Sequence, residues 1–136
     1  MRELLAERVG GEHEKMSFSR KIRERVYAKC NGHCAYCGCE LEMKDMQVDH
    51  VFPKFGIERD GIDDIDNLMP SCRQCNFYKS ANSLEGFRHI LLNVLPNSIS
   101  QLFQVRIGMK YGYVQKGDPW DGKFYFEKMQ KGDDNA

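Results

Sequence analysis

Two cysteine pairs, Cys34-Ala35-Tyr36-Cys37 and Cys72-Arg73-Gln74-Cys75, constrain this chain more than any other feature. Two residues between thiolates form a tight knuckle, so both sulfurs reach one ion. Two knuckles complete the tetrahedron of a closed structural zinc site. One such pair is weak evidence; two together are strong. The chain opens on MRELLAERVGGEHEK, charged throughout and without the apolar region of a signal peptide. The expectation is an intracellular protein whose thiols stay reduced and read as metal ligands before disulfides. The stretch between the knuckles is longer than in a plain zinc ribbon, so it must hold something more.

Two of the six cysteines remain. Cys30 reads as a buried helix residue, since free cysteine is a common core residue. Cys39 could replace Cys37 as a ligand, although C-G-C spacing makes a poorer knuckle. His33 adjoins Cys34, but four thiolates already fill the site, so an exposed His33 is expected.

The 136 residues fit one domain with one modest core. Lys+Arg and Asp+Glu are equal at 20 each, so the whole chain is not a basic DNA-binder. The neutral total hides a basic stretch from Lys15 to Lys29, with six bases and one acid, and an acidic middle from Glu40 to Asp66. The basic stretch suits phosphates and a solvated helix face equally. Clustered acids suit a divalent cation, which needs oxygen ligands. No apolar run is long enough to span a bilayer, so no membrane partner is expected.

Patterning divides the chain into an arm (residues 1–16, where Gly10-Gly11 ends a short amphipathic stretch), a core (17–82) and a C-terminal helical extension (83–136). Residues 19–29 read as a helix capped by Ser19, with Ile22, Val26 and Cys30 inward, broken at Asn31-Gly32. Residues 46–52 read as a strand stopped by Pro53, residues 56–66 as a loop and residues 73–80 as a short helix. Ser83 caps a predicted helix over 84–95, and Pro96-Asn97 separates it from another over roughly 98–107. Near the end, KFYFEK alternates like a strand that could pair with Tyr111 to Gln115.

Between and beside the knuckles lie VDHVFP, DNLMPSC and CNFYKS. With the cysteine pairs, these runs resemble the HNH endonucleases, in an H-N-N version, over about residues 19–80. The resemblance implies an α+β fold: a ββα-metal (His-Me finger) core with a four-cysteine structural zinc site (Cys34, Cys37, Cys72, Cys75), flanked by an N-terminal helix and the helical extension. It implies a metal-dependent DNA endonuclease that hydrolyses phosphodiester bonds. His50 matches the general base, and an imidazole can accept a proton near neutral pH. Asp49 and Asn76 match the protein ligands of a catalytic ion, for which Mg²⁺ or Mn²⁺ suits the oxygen donors. Asn67 matches the middle Asn, which braces the loop and orients His50. Lys79 and Arg73, on or beside the last helix, are candidate phosphate contacts. A lone Asp-His pair or a lone Asn would be incidental; their order and spacing together carry the reading. The alternative is a non-catalytic zinc module that binds DNA or protein on the same scaffold. DNA is the expected partner, while a homodimer, a partner protein, the target sequence and the biological role are left open.

Overall fold

Ser19 starts the first helix by accepting a hydrogen bond from the Ile22 amide on its Oγ (3.2 Å), satisfying one of the donors that a helix start leaves unpaired. The structure, a computed structural model, describes residues 18–52 and 63–134, the last four by backbone alone. The predicted 1–16 arm and most of the 56–66 loop lie outside these residues. Helix α1 (Arg20–Ala28) turns Val26 fully inward, with Cys30 buried just beyond its end. Asn31 and Gly32 both take positive φ and break it. A side chain at Gly32 would meet the Tyr27 hydroxyl at 2.8 Å.

The hairpin is short. Strand β1 (Gln47–His50) pairs antiparallel with β2 (Leu68–Ser71) in the register Gln47↔Ser71, Val48↔Pro70, Asp49↔Met69, His50↔Leu68. It ends earlier than the predicted 46–52. Helix α2 (Arg73–Lys79) follows at once and packs on β1. Cys72 is its N-cap: the thiol accepts from the Cys75 amide at 3.3 Å, so one residue serves as knuckle and helix start. The result is a ββα unit in an α+β fold.

Two apolar clusters hold the unit. Val26, Met46 and Leu68 seal α1 against the hairpin. Cys34, Tyr36, Phe87 and Phe124 form the other, with Trp120 and Phe126 packed against it. Tyr36 meets Phe87 and Phe124 edge-on at 5.6 and 5.4 Å, and Phe87 stacks on Phe124 at 5.5 Å. The C-terminal extension is therefore anchored on the first knuckle.

Two predicted elements of that extension are corrected. Pro96 does not separate two helices. Helix α3 (Leu84–His89) passes through a π turn (Ile90–Val94) into α4 (Leu95–Ser100), with Pro96 in its first turn. The wider turn makes room where a proline ring would otherwise strike a carbonyl one turn back. The break falls at Gln101-Leu102 instead, before α5 (Phe103–Lys110). KFYFEK is not a strand either: helix α6 spans Tyr125–Asp134. Glu127 Oε1 reaches back to accept from the Phe124 amide (2.9 Å), the reciprocal half of a helix-start box. The first amides of α6 then donate to the knuckle carbonyls, Tyr125 N to Tyr36 O (3.2 Å) and Phe126 N to Ala35 O (2.9 Å). No helix among the described residues is long and apolar enough to cross a membrane.

Candidate metal centre and hairpin site

The four thiolates come together as their spacing predicts. The sulfurs of Cys34, Cys37, Cys72 and Cys75 all lie within 4.8 Å of one another, and Cys37 and Cys72 are 3.9 Å apart. A tetrahedron of Zn–S bonds near 2.3 Å has edges of about 3.8 Å, so the donor set and its size fit zinc. The hydrogen bond between Cys75 and Cys34 lowers the Cys34 thiol and raises the Cys75 thiol, and a zinc ion takes its cysteine ligands deprotonated. Cys39 lies outside the four, and Cys30 is buried elsewhere. His33 is half-buried rather than exposed, its ring stacked on Tyr125 at 5.3 Å and its Nδ1 near the Asn31 carbonyl.

The knuckle also reaches the hairpin. Tyr36, inside the first C-x-x-C, donates its hydroxyl to Asp49 Oδ2. Burial, reinforced by that carboxylate, holds the Tyr36 phenol far above its usual range, so it remains a donor. Lys79 Nζ lies 3.1 Å from the same Oδ2 and donates to the His50 carbonyl at 2.9 Å. Lys79 has 0 % exposure and Asp49 6 %. This corrects the reading of Lys79 as a phosphate contact: its ammonium is spent inside, tying α2 to β1. Arg73, by contrast, is exposed and makes no side-chain hydrogen bond or ion pair among the described residues.

Two predictions follow from this buried triad. Tyr36→Phe should cost about 1–3 kcal/mol, the penalty for stripping a partner from a buried charged group. A lowered urea midpoint at unchanged zinc content would show it. Lys79→Met should cost about 3–5 kcal/mol by leaving a buried carboxylate without its counter-charge. If Lys79→Met kept its stability and only weakened DNA binding with a shallower salt slope, the phosphate role would return.

The remaining predicted residues sit around the end of β1. The Asn67 amide grips the backbone of residue 52 from both sides, accepting from Phe52 N (2.9 Å) and donating to Phe52 O (3.3 Å), while Val51 N donates to the Asn67 carbonyl (2.9 Å). This clamps the segment before β2 onto the end of β1. The His50 side chain is 13 % exposed, and its Nε2 lies 2.8 Å from Asp63 Oδ1. Asn76 stands one turn before Lys79 on the same face of α2, and its carboxamide makes no hydrogen bond among the described residues. Asp49 Oδ1 likewise has no hydrogen-bond partner among the described residues, and it is not sealed from solvent. Among the described residues one carboxylate oxygen and one carboxamide oxygen are thus left over, donors of the kind taken by a hard cation that retains most of its water.

Sequence reasoning missed Asp63 and Tyr36. The Tyr36 signal was its place inside a knuckle; Asp63 gave no signal, being one acid among several in a loop. The basic stretch is also partly structural. Arg23 binds the carbonyls of Met43 and Met46 (3.1 and 3.0 Å), and Lys29 binds that of Leu68 (2.7 Å).

Residues 34–82 match the family described as HNH endonuclease. The SPbeta prophage-derived YoqL of Bacillus subtilis (strain 168), a protein named for that family, is 33% identical over 67 residues, covering 43% of this chain and 29% of its own length. The Septu protein PtuB of Bacillus thuringiensis is 28% identical over 104 residues, covering 75% of this chain and 37% of its own. The chain therefore spans about a third of the length of these curated relatives. Among solved structures, the Type II-C Cas9 enzyme from Actinomyces naeslundii aligns with a TM-score of 0.46 at 20% identity, over 65% of this chain and 9% of that one.

Proposed function

We propose that this chain, whose residues 34–82 form a domain of the HNH endonuclease type, cuts DNA by metal-dependent hydrolysis of a phosphodiester bond. The observation that carries the reading is that Asp49 and His50 are neighbours on β1 and Asn76 stands on the helix packed against that strand, with one Asp49 oxygen and the Asn76 carboxamide making no hydrogen bond among the described residues. A zinc module that only binds has no need of all three together.

In this reading His50 takes the proton of the attacking water, which an imidazole can do near neutral pH. Asp49, through Oδ1, and Asn76 would hold Mg²⁺ or Mn²⁺, whose chemistry is to stabilise charge on the scissile phosphate and the departing oxygen. Asn67 acts through position alone, fixing the backbone two residues beyond His50. Tyr36 and Lys79 set the Asp49 carboxylate by holding its other oxygen. The zinc site serves as scaffold, and Arg73 offers an exposed cation for the phosphate backbone.

One observation favours a second reading, a zinc module that binds DNA or a partner protein without cutting. Half of the Asp49 carboxylate is already used structurally, and the Lys79 ammonium beside it repels a cation. Incubating supercoiled plasmid with the zinc-loaded protein in Mg²⁺, Mn²⁺ or EDTA separates the two. Nicking with a divalent ion and none in EDTA, at retained zinc, supports the nuclease. DNA binding without cutting under any of these ions supports the module.

A further inference from the structure

Asp63 reaches His50 across thirteen residues of sequence, and that imidazole is its one side-chain partner among the described residues. The contact is built rather than incidental. Asp63 lies two residues before the 3₁₀ segment Ile65–Asn67, next to its cap residue Asp64, and Asn67 is clamped to the backbone just past His50. The carboxylate therefore rides on a segment tied to the strand that carries the ring. The Phe18 ring is tilted beside the imidazole, centroid to centroid 6.0 Å.

An ionised carboxylate only accepts hydrogen bonds, so a neutral His50 at 2.8 Å from Asp63 must carry its proton on Nε2. The lone pair then sits on Nδ1. We infer that Asp63 is a positioning residue for the hydrolysis: it holds the His50 ring as the Nε2–H tautomer and makes Nδ1 the proton acceptor. This rests on the reading of His50 as general base. The proton of the attacking water passes to Nδ1 and the water's electron pair forms the new P–O bond. The bond to the 3′ oxygen breaks, and that oxygen takes a proton from solvent. The imidazolium formed is stabilised by the Asp63 carboxylate, as in other base–carboxylate pairs.

The test uses zinc-loaded protein labelled with ¹⁵N-histidine, in mildly alkaline buffer, with the His50 signals assigned by their loss in His50→Ala. Wild type should show a protonated Nε2 and a bare Nδ1. Asp63→Asn should show mixed tautomers, and its plasmid-nicking kcat should fall by about 100-fold at nearly unchanged KM. That is short of the ~10⁴-fold loss known for a buried triad aspartate, because Asp63 is 62% exposed. Asp63→Glu should recover part of the rate. A wild-type ring protonated on Nδ1, or an Asp63→Asn protein with wild-type kcat, overturns the proposal. If no protein cuts DNA under any divalent ion, the base assignment and the catalytic half of the proposal fall together. The wild-type spectrum still decides in that case whether Asp63 holds the ring.

Discussion

His50→Ala should lose about 10²- to 10⁴-fold of the plasmid-nicking rate, the usual contribution of a general base, while zinc stoichiometry and melting temperature stay close to wild type. The separation is expected because His50 contributes to the fold mainly through its backbone. Its carbonyl accepts from Lys79 and its residue pairs with Leu68 in the ladder, and both contacts survive in alanine. Among the described residues its side chain has one hydrogen-bond partner, Asp63, and one ring neighbour, Phe18. A rate that survives intact would place the base elsewhere. A protein that loses its zinc or melts early would instead make His50 a structural residue.

Cys72→Ser should fail to hold zinc and fail to fold cooperatively at room temperature. Structural zinc contributes about 10–16 kcal/mol to small zinc domains, which matches or exceeds the total stability of about 5–15 kcal/mol typical of a domain. Serine can still cap α2, so loss of the cap would not be the cause. The damage should spread along two routes. Tyr36 would lose its anchorage and with it the hydroxyl that holds Asp49. The cluster of Tyr36, Phe87 and Phe124 would lose the knuckle on which the C-terminal helices rest. Metal content by mass spectrometry and a thermal melt read both effects. Cys39→Ser is the control: its thiol is exposed and, although it hydrogen-bonds to Cys37 and Cys72, it lies outside the four-sulfur cluster, so zinc and melting temperature should hold. If Cys72→Ser kept both, the four-cysteine assignment would be wrong.

Much of the centre of the chain was legible before any coordinates. A C-x-x-C knuckle is a local motif, and so is a serine cap, so the four-cysteine cluster and the starts of α1 and α3 follow from spacing alone. The short hairpin and α2 followed from the runs around Asp49-His50 and the second knuckle. Where the reading failed, a longer-range interaction outweighed a local signal. KFYFEK alternates like a strand, yet it forms a helix because Glu127 caps it, Arg88 grips Glu127 with two nitrogens (2.7 and 2.9 Å), and Phe124 is buried against the knuckle. Pro96 marks a break in any sequence pattern, and only the π turn before it lets the helix run on.

The sequence by itself determined which atoms could bind metal and which residue types stood ready for chemistry, because those choices are set by spacing within a few residues. Tertiary structure decided what each charged group does. Lys79 looked like a phosphate contact and is a buried counter-ion, because α2 packs with that face on β1. Asp63 looked like one loop acid among several and stands against the His50 imidazole, because the segment that carries it is clamped to the end of the strand. A charge has a role only once its neighbours in space are set, and those neighbours lie many residues away along the chain.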